Sequence, residues 1–387
     1  MRYSTWLALI GAAVLVCSPA IAQEAPGLMR LPSIEPVPAQ CVLPAAYDLT
    51  SPVFGVPPLV TPAAAMELGG PEAPLVSDKP LETDYCGSCF YFQADALYWQ
   101  RVGTGCDEVL VLNTTTGDPL LRTSNLFFDG TGGFRVTVGW RPDTCCPHCS
   151  AWELTYFGLF GDSANRTISG AGDLAIPGDL GLASNNFFLT DTLAIDYRST
   201  LNNVELNCVK SCCLCCAQID FLCGFRYINL SEDFIITGTD LQEGTSSYNI
   251  HTDNNLYGLQ LGGRYTSQFS DCWSYQLVGK AGVFLNAVQQ VQSATDFPTA
   301  SAPFSLRDRI GDDGIAVASL GELDFFLIRR LNDIWSLRFG YSVLGIGGLA
   351  LAPDQLDFTD TPTSGSSIQN FGWIFYHGVS LGVEARW

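Results

Sequence analysis

The end of the chain alternates between two kinds of residue. From Phe371 to Trp387 the odd positions are apolar or aromatic except His377, and the even positions are small or charged except Ile374 and Tyr376. A period of two predicts a β-strand with one apolar and one polar face. Strands of globular proteins usually have about 5–6 residues, whereas a membrane-spanning strand needs about 9–11 with this alternation. The stretch therefore predicts a transmembrane strand.

The same alternation recurs nine times earlier in the chain. An even number of strands, ten in total, is typical of single-chain bacterial barrels. The alternation slips phase in the fourth strand, which predicts a β-bulge there. The nine earlier strands are predicted at 90–99, 134–141, 152–160, 193–206, 219–230, 256–265, 273–285, 315–327 and 334–343.

The predicted connections alternate in length, as in outer-membrane barrels, whose long loops face outside and whose short turns face the periplasm. We predict an all-β fold, a closed antiparallel transmembrane barrel over residues 85–387. It has ten strands, or twelve if 101–132 contributes a hairpin. A soluble β-sandwich would explain neither the even count nor the alternating loops. The short turns are 142–149, 207–217, 267–272 and 330–333, and the long loops are 101–132, 161–191, 231–254, 288–313 and 347–370.

The N-terminal region differs in composition from the barrel. Residues 1–22 contain an apolar stretch and end in Ala20-Ile21-Ala22, which predicts a cleavable secretory signal peptide. Residues 23–84 hold twelve of the 21 prolines, which predicts an extended or disordered segment. We interpret it as a spacer, with a periplasmic tether or a partner-binding arm as alternatives.

Overall composition excludes several classes of protein. The net charge is −20 although only 15% of residues are charged, so the chain lacks the basic face that nucleic-acid binding needs. Its 47% hydrophobic content argues against a disordered chain. After the N-terminus no apolar stretch is long enough for a transmembrane helix. An apolar chain without a helical span fits an all-β barrel.

Charged residues recur on the polar faces of the predicted strands. A charge that faces lipid at mid-bilayer costs about 2–4 kcal/mol, so these side chains are expected to point into the lumen. They could line a polar pore that filters solutes, with acidic loops favouring cations at its mouth, or form a salt-bridged plug. The predicted lumen-lining residues are Asp95, Arg135, Glu153, Asp220, Arg226, Arg264, Lys280, Glu322, Asp324, Arg338, Glu384 and Arg386.

Cysteines are unusually frequent: fifteen, of which Cys17 lies in the predicted signal peptide. In a secreted chain they predict disulfides, here at the periplasmic rim. A zinc site at Cys145, Cys146, His148 and Cys149 is the alternative, because cysteines and histidine at this spacing can bind zinc. The disulfide candidates are Cys86, Cys89, Cys145, Cys146, Cys149, Cys208, Cys212, Cys213, Cys215, Cys216 and Cys272.

Several short motifs together resemble a known group of proteins. The chain is similar to planctomycete-type outer-membrane β-barrel proteins and to the Legionella major outer-membrane (pore-forming) protein family. The resemblance covers residues 86–387 and implies an outer-membrane barrel that can form a pore. The motifs are FQADALYW at 92–99, GFRY at 224–227, NNLYGLQLG at 254–262 and HGVSLGVEARW at 377–387.

The predicted function is that of an outer-membrane barrel, either porin-like, with passive diffusion of small solutes, or structural. The alternative is a non-conducting surface barrel whose long extracellular loops bind a partner or ligand. No histidine, serine and polar orienting group converge on one strand face, so we predict no catalytic residues, no enzyme activity and no cofactor. The expected partners are the outer-membrane bilayer and the barrel-assembly machinery, with Trp387 as the assembly signal.

Overall fold

The computed structural model describes residues 90–141, 150–181, 186–214 and 217–387, so the predicted signal peptide and proline-rich segment lie outside the described residues. Apart from short 3-10 helices at Thr123–Asn125, Asp179–Gly181 and Ala352–Gln355, the regular structure of the described chain is β. The strands are β1 (Phe90–Val102), β2 (Val109–Asn113), β3 (Pro119–Arg122), β4 (Thr131–Trp140), β5 (Ser150–Ala175), β6 (Phe188–Leu214), β7 (Ala217–Asp240), β8 (Gly244–Ser270), β9 (Trp273–Pro298), β10 (Phe304–Arg330), β11 (Trp335–Leu349) and β12 (Gly372–Arg386).

Ten of these strands close into an antiparallel barrel. Each pairs with its neighbours in the order β1-β4-β5-β6-β7-β8-β9-β10-β11-β12, and β12 pairs again with β1. At the seam, the backbone amide of Phe90 donates to the carbonyl of Trp387 and that of Trp387 donates to Phe90, both at 3.1 Å. The remaining two strands, β2 and β3, form a hairpin inside the predicted loop 101–132. The predicted closed ten-stranded barrel is confirmed.

No helix among the described residues has the length and apolar character that a transmembrane helix requires.

An apolar band surrounds the lower part of the barrel, next to the short turns. Its side chains point outward and are 43% to 72% exposed, which only a lipid environment satisfies. By the loop-length rule, the end with the short turns faces the periplasm. Members of the band are Tyr98, Phe134, Trp152, Leu154, Phe221, Phe225, Leu259, Leu261, Val283, Leu285, Val317, Leu323, Phe339, Val379 and Leu381.

Six adjacent strands continue far above this band. Strands β5 to β10 have 24 to 27 residues each, more than twice the length that crosses a bilayer, whereas β1, β4, β11 and β12 have 10 to 15. We call the upper parts of β5 to β10 the wall. The predicted long loops 161–191, 231–254 and 288–313 are therefore wrong: only 176–187, 241–243 and 299–303 connect these strands.

The reason for this error is an inversion of the alternation along each long strand. In β7 the outward side chains are apolar at Phe221 and Phe225, but polar higher up at Asp233. The inward side chains change in the opposite sense, from Arg226 to the fully buried Phe234. Above the bilayer the outer face meets water, so the apolar residues move to the inner face while the strand continues unbroken.

Opposite the predicted bulge at 193–206, the extra residue lies on β5. The register between the two strands shifts between Leu159 and Asp162, where Gly161 adopts a φ of +78° that favours glycine. Strand β6 keeps an unbroken register with β7 from Thr192 to Leu214. The bulge predicted within 193–206 is thus misplaced. The odd positions of β6 from Leu193 to Glu205 all face inward, and the apparent change of phase is the same inversion from apolar to polar inner residues that β7 shows.

The inner face of the wall packs against two segments that we call the cap, residues 103–130 and 350–371. The first contains the β2–β3 hairpin and joins β1 to β4, and the second joins β11 to β12. Between wall and cap lies an apolar core, which is closed to water. Its buried members include Leu110, Val111, Leu121, Leu126, Phe128, Ile195, Tyr197, Phe234, Ile236, Tyr248, Ile250 and Ala352.

Candidate functional site: a filled lumen

At the level of the membrane the lumen contains a layer of paired charges, which we call the charged belt. Eleven of the twelve predicted lumen-lining residues lie in it, because inward positions of the strands alternate with the lipid-facing ones. The twelfth, Arg386, lies nearer the periplasmic mouth, with its side chain 33% exposed and paired with Glu384. The belt also contains Glu205, which the sequence analysis missed.

Arg226 lies at the centre of the belt with 0% of its side chain exposed. Its guanidinium donates to Glu322 at 2.6 Å and to Asn203 at 2.5 Å, and lies 3.5 Å from Glu205. The Lys280 ammonium bridges the same two carboxylates, at 3.0 Å from Glu205 and 3.3 Å from Glu322. Two cations therefore balance two anions in a site that is largely closed to water.

Three further arginines are paired around this centre. Arg135 lies 3.4 Å from Asp324, and Arg338 lies 2.8 Å from Glu384 and 3.5 Å from Asp95. Arg264 lies 2.7 Å from Glu153 and 3.4 Å from Asp220. The side chains in these pairs are between 2% and 15% exposed. A lumen filled with water would leave such inward charges solvated, so these pairs fill the barrel rather than line a pore.

An apolar layer lies directly above the belt. Trp99 and Phe157 contact each other with ring centroids 5.6 Å apart, and Arg135 of the belt lies 5.6 Å below each ring. Leu230 and Phe284 complete the layer from β7 and β9, and their side chains are 0% and 2% exposed. The lumen therefore changes from charged to apolar within a few residues along each strand.

The next level is a buried ion pair at the base of the cap. The Arg101 guanidinium lies 2.6 Å from Glu232, with both side chains 0% exposed. It also donates to the Tyr197 hydroxyl at 2.7 Å. Asp162 lies at the same level, 2% exposed, and neither of its carboxylate oxygens has a hydrogen-bond partner.

At the periplasmic mouth a small cavity of about 50 Å³ remains, lined by Tyr91, Gln93, Asp220, Arg264 and Arg386 among others. Pockets that bind small molecules usually have about 300–1,000 Å³. A volume of this size admits water rather than a solute. The mouth therefore ends against the charged belt.

Sequence reasoning missed Glu205, Arg101 and Glu232 for different reasons. Glu205 lies in the strand whose phase was misjudged, and its inward position follows once the bulge is moved to β5. Arg101 and Glu232 fell in predicted loops, although both continue the alternation of the strands that precede them. Extending each strand until its alternation ends would have found them.

Three of the predicted disulfide cysteines are described and carry free thiols, Cys208, Cys212 and Cys272. The structure places Cys208 and Cys212 within β6 rather than in a turn, where they lie opposite Cys223 and Ile219. The structure therefore shows no disulfide at these three positions, and the disulfides stay a prediction. The side chains of the other candidates, Cys86, Cys89, Cys145, Cys146, Cys149, Cys213, Cys215 and Cys216, lie outside the described residues.

The zinc alternative falls outside the described residues too, because Cys145, Cys146, His148 and Cys149 all fall within 142–149. In the part of the chain that the structure describes, no three His, Cys, Asp or Glu side chains are grouped so as to hold a metal ion. The zinc site stays a prediction.

Several solved structures match this chain over 77–80% of its length. They include the outer membrane protease OmpT from Escherichia coli (10% identity, 77% of this chain and 97% of that chain, TM-score 0.39). Two others are a major outer membrane protein from Thermus thermophilus (12%, 77% and 99%, 0.30) and the Pseudomonas putida toluene transporter TodX (9%, 80% and 92%, 0.27). TM-scores this low carry no argument about the present chain. No curated protein matches.

The match to a protein family is more extensive. The model of a family described as "Putative beta barrel porin-7 (BBP7)" matches residues 91–387, which is β1 to the C-terminus. This match confirms the predicted porin-like outer-membrane β-barrel and its location in the outer membrane. It confirms the resemblance seen in the sequence at the level of an outer-membrane barrel family. The chain belongs to the family described as Putative beta barrel porin-7.

Proposed function

We propose that this barrel is a structural protein of the outer membrane that is closed to passive diffusion and presents the wall and cap at the cell surface. The observation that carries the proposal is the filling of the lumen. The charged belt, the apolar layer and the capped core lie in series along the barrel axis, and their central side chains, Arg226, Trp99 and Phe234, are 0% exposed.

The charge pairing makes the belt a firm closure. A hydrated ion that entered it would have to separate Arg226 and Lys280 from their two carboxylates, in a site of low dielectric constant. Separating one partner of a buried ion pair costs several kcal/mol. In the apolar layer above, the side chains of Trp99, Phe157, Leu230 and Phe284 carry no oxygen that could replace the water around a cation. Either layer alone would strongly slow diffusion.

Single-channel recording of the purified protein in planar bilayers tests this proposal. We expect no conductance above the lipid leak, with a general porin as positive control and detergent alone as negative control. Liposome swelling with small sugars gives the same information for neutral solutes, and we expect no swelling. Regular conductance steps that scale with protein concentration would overturn the proposal.

Membership of a family described as a porin favours a second candidate, passive diffusion of small solutes. This function requires the belt and the apolar layer to rearrange in the membrane. Conductance that appears only at high voltage or after a change of pH would favour this candidate.

The likeness to planctomycete-type barrels stays a prediction that the quoted motifs support.

We also propose that Trp387 is the signal by which the barrel-assembly machinery recognises the chain, after secretion through the signal peptide. Outer-membrane barrels generally end in an aromatic residue. Trp387 is 59% exposed at the end of β12, and its backbone is bonded to Phe90 across the seam. An aromatic side chain that the barrel does not bury is available to a partner. Deletion of Trp387 tests this role.

A further inference from the structure

We propose that Glu232 is a positioning residue that latches both cap segments to the wall. This inference goes beyond the closed membrane part of the barrel on which the proposed function rests. Glu232 lies on the inner face of β7, with 0% exposure, at the boundary between the membrane-embedded strands and the wall. Its two carboxylate oxygens receive bonds from different parts of the chain.

The first cap segment, 103–130, is held through Arg101. The Arg101 guanidinium lies 2.6 Å from one Glu232 oxygen and donates to the backbone carbonyl of Gly103 at 3.2 Å. It also lies over the ring of Phe128, 4.5 Å from the centroid, near the other end of the segment. Such a cation–π contact is stronger where water is excluded. Glu232 thus fixes the cation that both ends of this segment contact.

The second cap segment, 350–371, is held directly. The backbone amide of Ala352 donates to the other Glu232 oxygen at 2.9 Å, and the Tyr197 hydroxyl donates to the same oxygen at 3.0 Å. Bonds from neutral donors to an ionised carboxylate are stronger than neutral ones. Loss of the charge would leave this amide and Arg101 buried with a weaker acceptor.

The two segments are also bonded to each other. The backbone amide of Cys106 donates to Asp354 at 2.6 Å. Gly105 beside it has a φ of +90°, and a Cβ there would lie 2.1 Å from the Asp354 carboxylate. The segments therefore lie too close to move past each other, and release of one from Glu232 disturbs the other. This contact makes the latch cooperative.

Hydrogen exchange of the full-length protein, followed by mass spectrometry, tests the latch. For E232Q we expect amide exchange in both 103–130 and 350–371, including Ala352, to rise at least about tenfold, with β9 unchanged. The matched control is D233N, at the next residue but on the outer face of the same strand, which should leave cap exchange unchanged. In N254A exchange should rise more in 350–371 than in 103–130, because Asn254 bonds Ala350 alone among cap residues (2.8 Å in both directions) and Glu232 still holds both segments.

Cap exchange in E232Q equal to that of the wild type, or equal to that of D233N, would overturn the latch. If E232Q does not fold, R101Q/E232Q, which removes both charges, should still raise exchange in both segments. Conductance separates the latch from the proposed function. E232Q should remain non-conducting because the belt and the apolar layer stay in place. Conductance of the wild-type protein would refute the closed barrel but would leave the exchange result for the latch unchanged.

Discussion

The charged belt makes a prediction about stability whose magnitude can be worked out from its contacts. Arg226 and Lys280 balance Glu205 and Glu322, and the R226M substitution leaves a net charge of −1 in a site where these side chains are at most 11% exposed. Removing one partner of a buried ion pair costs about 3–5 kcal/mol. Lys280 stays within 3.3 Å of both carboxylates, so we expect the lower end, about 3 kcal/mol.

Guanidinium unfolding in phospholipid vesicles, followed by tryptophan fluorescence, measures this loss. The double variant R226M/E322Q is neutral again, and we expect it to recover most of the loss. The matched control is R198M, whose side chain is 66% exposed and paired with Asp196 on the outer wall. Exposed pairs contribute about 0–1 kcal/mol.

A loss below about 1 kcal/mol for R226M, similar to that of R198M, would refute the reasoning. It would mean that water enters the belt and solvates the unpaired carboxylate, so that the lumen is wet rather than filled. A double variant no more stable than R226M would also count against this reasoning, because removal of the unpaired charge should raise the free energy of unfolding. Either result would favour the porin candidate over the closed barrel.

Three further predictions concern other parts of the barrel. Deletion of Trp387 should reduce membrane insertion more than it reduces secretion. The ratio of folded barrel in the outer membrane to unfolded protein in the periplasm measures this difference, and normal insertion would refute the role of Trp387 as a signal. Burial raises the pKa of Asp354 to about 6, whereas the pKa of a solvated aspartate is about 4. The Asp354 carboxyl therefore binds a proton more tightly in the docked cap than in a released cap. The stability of the docked cap should then fall as pH rises from about 4 to 6. Exchange protection factors measure this change, and D354N should lessen it. Burial lowers the pKa of His251, but hydrogen bonds to Asp233 (2.8 Å) and Asp253 (2.9 Å) outweigh burial and raise this pKa above 6.5. NMR titration should show the raised pKa, and the D233N/D253N variant should lower it.

The barrel itself could be predicted from the sequence, because lipid imposes a rule that each strand repeats. Phe221, Phe225 and their equivalents must face outward, so strand order, strand number and the inward position of Arg226 follow. The wall could not be predicted by the same rule, since its outer residues, such as Asp233, meet water. A search for outward apolar residues stops at the edge of the bilayer, although the strand continues beyond it.

The state of the lumen also lay beyond the sequence. The alternation showed that Arg135, Asp324 and Lys280 point inward, but not which residues pair across the barrel. Arg135 and Asp324 are 189 residues apart, on strands separated by others, and meet only because the barrel is narrow. Closure by the cap depends equally on contacts between distant residues, such as Ala352 with Glu232. A pore and a plug therefore looked alike until the pairs were known.

The position of the cap relative to the seam has a consequence for assembly. One cap segment follows β1 and the other precedes β12, and these two strands seal the barrel. The final position of each segment at Glu232 on β7 depends on the pairing of β1 with β12, because each segment leaves from the end of one of these two strands. Sealing of the seam and docking of the cap are thus coupled steps. A barrel whose seam has not formed therefore also lacks a docked cap.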